Sequence, residues 1–268
     1  FCFGVKRAMQ MAFDEVKKNE DIYSLGPLIH NKQAIEKFEE NGLLTVENID
    51  NIKDNTKIII RSHGVSKSTY DLAKSKNLEI IDTTCPFVTK IHEIVKNFKN
   101  KNYEIIVLGD KNHPEVVGIN GWADNECIII KTLEEAKNLD IDNSKKYCVV
   151  SQTTINIDTY EKIKDILTKK VSNITFNNTV CSATKERQDA SKELSNEVDV
   201  IVVVGGKHSS NTQKLAQICS EKVKTFCIET KEELDKEELK KYKIVGVTAG
   251  ASTPNWIIDD VISFLENI

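Results

Sequence analysis

Residues 79–95 read E-I-I-D-T-T-C-P-F-V-T-K-I-H-E-I-V, and this stretch sets the fold class. Glu79–Asp82 is a short β-branched run, which predicts a strand. Pro86 follows Cys85 directly. Proline is favoured at the first position of a helix, where its missing N–H is not needed and its fixed φ is already helical. Beyond it the apolar residues recur at helical spacing. The stretch therefore predicts a strand, a polar turn carrying a cysteine, and an amphipathic helix. Outward from it the same alternation continues. Further strands are predicted at 58–61, 105–108, 128–130, 148–150, 198–204, 225–228 and 244–247, and helices at 33–41, 66–75, 159–170 and 211–221. Such alternation is the signature of an α/β fold with mostly parallel strands. No Pro/Gly/Ser-rich linker interrupts it, so any domains pack closely.

A chain of 268 residues accommodates one large domain or two to three small ones. With 40% hydrophobic and 29% charged residues, the composition is that of an ordinary globular protein. No run approaches the ~18 apolar residues needed to span a membrane. A net charge of -4 leaves no electrostatic footprint for nucleic acid. An anionic ligand would have to be held by local donors, not by a global positive field. The seven cysteines are odd in number and lack a disulfide-like rhythm, which favours reduced thiols in a cytoplasmic enzyme.

Three of the cysteines mark a weak internal repeat. Cys2 opens F-G-V-K-R-A-M-Q-M-A-F, Cys85 opens P-F-V-T-K-I-H-E-I-V, and Cys181 opens S-A-T-K-E-R-Q-D-A-S. Position +3 is Val5, Val88 or Thr184. Spacings of 83 residues from Cys2 to Cys85 and 96 from Cys85 to Cys181 suit three similar α/β units, at 1–84, 85–180 and 181–268. A helix N-terminus carries partial positive charge and free N–H groups, so it favours a thiolate. Three such thiolates suit a metal centre better than a disulfide. An iron–sulfur cube normally takes four cysteines; with three, one iron is left open to water or substrate. Zinc is a competing reading, although no C-x-x-C pair is present. Cys127, Cys148, Cys219 and Cys227 lie in apolar patterns and read as core residues.

Several strands run into turns rich in His, Ser, Thr and Asn: G-P-L-I-H-N (26–31), R-S-H-G-V-S (61–66), G-D-K-N-H-P-E (109–115), S-Q-T-T (151–154), G-G-K-H-S-S-N-T (205–212) and T-A-G-A-S-T-P (248–254). In parallel α/β sheets, ligands bind at the carboxyl ends of strands. Hydroxyls and amides beside glycine at helix starts bind phosphate oxygens well, though any one of them can serve simply as a helix cap. Four of the five histidines fall in these turns; His92 sits mid-helix and reads as structural or solvated. Glu115 is a general-acid candidate if burial raises its pKa, and a surface carboxylate otherwise. Neither a P-loop nor a G-x-G-x-x-G fingerprint is present.

Taken together, F-C-F-G-V-K-R-A, D-T-T-C-P-F-V-T-K, H-P-E-V-V-G, S-Q-T-T, N-T-V-C-S-A-T-K-E-R-Q, S-S-N-T and T-A-G-A-S resemble the 4-hydroxy-3-methylbut-2-enyl diphosphate reductase family. The motifs fall in the family's order and extend from residue 1 to about residue 254. The resemblance implies three α/β units arranged pseudo-threefold around one [4Fe–4S] cluster with an open fourth iron, held by Cys2, Cys85 and Cys181. It implies substrate binding by His30, His63 and His113, and a diphosphate held by Ser209, Ser210, Asn211 and Ser252. Thr153 matches the threonine near the substrate hydroxyl, and Glu115 the glutamate of proton delivery. The implied reaction is reductive dehydroxylation to isopentenyl and dimethylallyl diphosphate, the last step of the non-mevalonate isoprenoid pathway. Its electrons would come from a ferredoxin or flavodoxin, in a monomer or weak homodimer.

The family also begins with a strand ahead of the first cysteine motif, expected to belong to the third unit. Phe3 stands where many members have alanine; it supplies no ligand atom, so little effect is expected. Three other readings stay open at this stage. A non-redox hydro-lyase would use the same open iron without a reductant. An iron–sulfur sensor would leave Glu115 and the polar turns without a role. A zinc-stabilised binding protein would be recognised by its metal content.

Overall fold

The computed structural model describes residues 1–18 and 21–268. Its strands form parallel sheets. The first contains β1 (Ile22–Leu25), β2 (Leu43–Val46), β3 (Lys57–Ile60) and β4 (Glu79–Asp82), in the order β2-β1-β3-β4. The second contains β5 (Glu104–Leu108), β6 (Ile128–Ile130), β7 (Tyr147–Ser151) and β8 (Ile174–Phe176), in the order β6-β5-β7-β8. The third contains β9 (Val200–Val204), β10 (Lys224–Ile228) and β11 (Val245–Ala249), in the order β10-β9-β11. All of these strand pairs are parallel.

Helices occupy the crossovers. In chain order they are α1 (Phe3–Val16), α2 (Lys32–Glu39), α3 (Lys67–Ser75), α4 (Pro86–Lys99), α5 (Pro114–Gly121), α6 (Leu133–Asn138), α7 (Ile157–Lys170), α8 (Ser182–Leu194), α9 (Ser210–Ser220), α10 (Lys236–Leu239) and α11 (Asn255–Glu266). Parallel strands covered on both faces read as unbroken apolar runs. That is why Tyr147–Ser151 and Val200–Val204 are buried at every position. In the second sheet, alternate residues serve opposite faces. Ile106, Leu108 and Val149 pack with Tyr160, Ile163 and Leu167 of α7. Ile105, Val107, Cys148 and Val150 pack with Ile91 and Val95 of α4 and Val116 and Ile119 of α5.

The chain gathers into two compact units. One, Arg7–Leu28 with Lys37–Cys181, holds both four-stranded sheets; the other, Phe1–Lys6, Ile29–Glu36 and Ser182–Ile268, holds the third sheet. Each of the segments 1–84, 85–180 and 181–268 contains one sheet whole.

The α/β class and the parallel sheets agree with the sequence reading. β4 and β6 have the expected bounds, and the other expected strands differ by a residue or two at their ends. The sequence does not predict β1, β2 and β8. Their sequences, I-Y-S-L, L-L-T-V and I-T-F, are too short to establish a period. Among the described residues no helix is long and apolar enough to cross a membrane.

All three sheets share one feature that positions a site. In each, the chain steps from one strand to an outer neighbour and then returns to the first strand's other side. Direction therefore reverses between β1 and β3, between β5 and β7, and between β9 and β11. Ligands of open α/β sheets bind beyond the carboxyl ends of strands at such reversals. The six polar turns are the segments that follow these six strands.

Candidate functional site

In the unit with two sheets, the turn after β5 ends at α5, and the turn after β7 carries Thr153. Glu115, at the second position of α5, is 2% exposed. Its Oε1 accepts from the Thr153 backbone N–H at 2.6 Å, and its Oε2 lies 2.8 Å from the Thr153 hydroxyl. Burial pushes the carboxyl pKa up to about 7, against the opposing pull of both Thr153 hydrogen bonds. Near neutral pH both protonation states are therefore populated. In the ionised state Thr153 donates to Oε2. In the protonated state Oε2–H can donate to Thr153 Oγ, freeing the Thr153 O–H to donate onward. The pair is thus built to pass a proton.

His113 caps α5: its Nδ1 accepts from the Glu115 backbone N–H at 3.2 Å. An accepting Nδ1 places the ring proton on Nε2, a donor suited to an anion. His63, from the turn after β3, packs edge-on against His113 with ring centroids 5.6 Å apart. The structure thus brings His63, His113, Glu115 and Thr153 into one connected group within this unit.

The other unit holds a second group. Ser209 caps α9, with its Oγ accepting from the Thr212 N–H at 3.4 Å. Ser210 and Asn211 open the same helix. The Ser252 hydroxyl donates to the His30 carbonyl at 3.2 Å. Among the described residues, the buried Asn211 Nδ2 has no hydrogen-bond partner, and neither has the fully buried Thr212 Oγ1. Buried donors are rarely left unpaired, so an orphaned amide beside two serines at a helix start fits an anion's oxygens. Capping and ligand binding do not exclude each other, because a serine that accepts through its lone pairs can still donate through its O–H.

Cys2, Cys85 and Cys181 each stand immediately before a helix: α1, α4 and α8. All three are partly exposed thiols outside any disulfide, and the Cys85 side chain makes no capping bond to its own helix. Burial pushes the Cys127 and Cys148 thiols up to about 12 and raises those of Cys219 and Cys227, so these four are poor thiolate donors. The donor chemistry of the first three therefore fits a cysteine-ligated cluster.

A repeated backbone bond accompanies them. Cys85 N–H donates to Ser62 O at 3.0 Å, Cys181 N–H to Thr153 O at 3.2 Å, and Cys2 N–H to Ala251 O at 2.9 Å. Each acceptor lies two residues beyond a strand end, after β3, β7 and β11 respectively. Each cysteine is thereby fixed to the turn that carries His63, Thr153 or Ser252.

His92 proves structural and not solvated: it is 5% exposed and stacks on Trp122 at 5.4 Å between centroids. Sequence reasoning missed Gln152, whose Oε1 accepts from Asp110 N–H at 3.2 Å, and Thr179, whose hydroxyl bonds Ser151. Gln152 ties the turn after β7 to the one after β5, and Thr179 holds the end of β7. The only signal for Gln152 was its place within S-Q-T-T.

The chain matches the family model described as LytB protein over residues 1–266. It is 62% identical to the 4-hydroxy-3-methylbut-2-enyl diphosphate reductase of Clostridioides difficile, covering 100% of this chain and 96% of that one. It is 48% identical to the enzyme of the same name from Alkaliphilus oremlandii, with the same coverage of 100% and 96%. Among solved structures, the E-1-hydroxy-2-methyl-but-2-enyl-4-diphosphate reductase from Plasmodium falciparum superposes with a TM-score of 0.95 at 31% identity, covering 98% of this chain and 84% of that one. The (E)-4-hydroxy-3-methyl-but-2-enyl diphosphate reductase described as the terminal enzyme of the non-mevalonate pathway gives 0.72 at 37% identity, covering 100% and 96%.

Proposed function

The chain belongs to the LytB protein family, and from that premise we propose that it reduces (E)-4-hydroxy-3-methylbut-2-enyl diphosphate, the substrate named for its relatives. It is an oxidoreductase of the non-mevalonate isoprenoid pathway. Two electrons and two protons enter, the allylic C–O bond breaks, and water leaves. Protonation at either end of the allyl unit gives isopentenyl or dimethylallyl diphosphate.

The observation that carries the chemistry is the buried Glu115–Thr153 pair. With a pKa of about 7, Glu115 holds a proton at working pH and releases it through the Thr153 hydroxyl toward the leaving oxygen. His113 offers Nε2–H, and with His63 and His30 it binds substrate. Ser209, Ser210, Asn211 and Ser252 hold the diphosphate. Anchoring the non-reacting diphosphate orients the reacting end.

Cys2, Cys85 and Cys181 would hold one [4Fe–4S] cluster, which would supply the electrons that reduce the allyl unit and Lewis acidity at the leaving oxygen. The electron donor is a ferredoxin or flavodoxin, and the compartment is the cytoplasm. The enzyme works as a monomer or weak homodimer. Segments 1–84, 85–180 and 181–268 are three related units. Their shared chain reversal and the repeated cysteine N–H bond support that reading.

The test is anaerobic turnover of 4-hydroxy-3-methylbut-2-enyl diphosphate by cluster-reconstituted protein, following oxidation of a reduced viologen dye. Substrate-dependent oxidation yielding the two five-carbon diphosphates is expected. No turnover, with an intact cluster confirmed in the same sample, would overturn the reading.

A further inference from the structure

The turn at 61–66 sits in a slot between two helices. Gly64 has φ +70°, and a Cβ there would lie 2.7 Å from His92 Cε1, 3.2 Å from Thr84 Cγ2 and 3.3 Å from Val88 Cγ1. On the α5 side, a Cβ on Gly118 would lie 3.5 Å from the Gly64 carbonyl, and one on Gly121 would be 2.2 Å from Ser66 Cβ. The turn is therefore in contact with helix surfaces on both sides, and nothing larger than glycine fits.

The floor of that slot is one stacked pair. The His92 imidazole lies on the Trp122 ring, 5.4 Å between centroids and 20° from parallel. The Trp122 indole N–H donates to Val65 O at 3.0 Å. The pair thus touches the turn twice, once through His92 against Gly64 and once through Trp122 at Val65. His92 and Trp122 also join the helices that begin at Cys85 and His113.

His92 also lines a cavity beside Tyr70, Asp82 and Lys96. Its buried Nε2 has no hydrogen-bond partner among the described residues, and burial pushes its pKa down to about 4, so the ring is neutral at working pH. A buried, unpaired nitrogen is unfavourable, so hydrogen bonding does not explain the residue. Its shape does: a flat ring that stacks on Trp122 and leaves room for Gly64.

We propose that His92 is a positioning residue: stacked on Trp122, it fixes the turn that presents His63 to the substrate and that accepts the Cys85 N–H. The role of His63 rests on the substrate reading above; the packing of the turn does not.

Two readouts on the cluster-loaded full chain test this. Hydrogen exchange reports the turn directly, since the Gly64 amide donates to Arg61 O at 3.0 Å. In His92→Ala, exchange should rise in the 61–66 segment while distant strands such as β9 stay protected. KM should rise about tenfold with kcat held within a few-fold, the pattern of lost uniform binding. His92→Phe, which keeps the flat ring, should restore both. Should His92→Ala fail to fold, Trp122→Phe keeps the stack but loses the Val65 bond, and exchange should rise at 61–66 alone. Unchanged exchange at 61–66, or a rise spread over the whole chain, would overturn the proposal, as would an unaltered KM in a variant with a loosened turn. If the wild type does not turn over the substrate, the functional reading fails, and the exchange pattern still decides the role of His92.

Discussion

At the scale of single residues, Glu115 is the group whose environment most changes its chemistry. It lies in the first turn of a helix, where the dipole favours a carboxylate, and it accepts two hydrogen bonds from Thr153. Desolvation outweighs both and holds its pKa near 7. Glu115→Gln should keep the fold and substrate affinity but lower kcat by about two orders of magnitude or more, the usual scale for a lost acid. A variant that chiefly raised KM would refute the proton role. The same shift predicts a stability slope. Between the ordinary glutamate pKa and about 7 the folded chain keeps a proton that the unfolded chain releases. Stability from this group is therefore highest at acid pH, falls as pH rises through that window, and levels off above 7. Urea titrations at pH 5 and pH 8 should show a larger loss for wild type than for Glu115→Gln. Equal losses would mean that Glu115 is not buried as described.

At the scale of elements, strand ends decide what the turns can do. Gly206 follows β9, and a Cβ there would lie 2.3 Å from the His30 carbonyl oxygen. That oxygen is backbone and also accepts from Ser252, so it cannot swing aside cheaply. Gly206→Ala should therefore displace the His30 turn and weaken binding of inorganic diphosphate, measured by calorimetry, with little change in secondary structure. Unaltered binding would separate His30 from the anion site. Asn211→Ala removes the orphaned amide and should raise KM more than it lowers kcat; a pure kcat effect would exclude the anchor role. Much at this scale was legible in the sequence. Pro86 after Cys85 marked the start of α4, and the run V-I-V-V-V marked β9, because both signals are local. The short strands β1, β2 and β8 carried no such signal and are fixed by pairing with neighbours. Glu115 and Thr153 were each visible as residue types in polar turns. Their contact spans 38 positions and follows from β5 lying beside β7, a long-range pairing that no local pattern encodes.

At the scale of the whole molecule, Cys127 and Cys227 are partly exposed, as Cys2, Cys85 and Cys181 are, so of its four apolar-pattern cysteines the sequence places only Cys148 and Cys219 correctly in the core. What it did not contain was the means of attachment: a backbone N–H of each turn cysteine held by a carbonyl two residues beyond a strand end. That bond makes a sharp prediction, because it survives any side-chain change. Cys85→Ser should lose iron and its visible absorption, yet keep its Ser62 bond, its far-ultraviolet dichroism and the denaturant midpoint of the cluster-free chain. Cys219→Ala should do the reverse. Its thiol is buried in the sheet-facing side of α9 among Ile201, Val203 and Leu215, so trimming it leaves a small cavity and should lower stability by about 1–2 kcal/mol with iron content intact. Parallel measurement of iron per chain and unfolding midpoint distinguishes ligand from core. Full iron in Cys85→Ser would remove it from the ligand set, and lost iron in Cys219→Ala would mean that the third sheet's core, and not only the turn cysteines, holds the cluster in place.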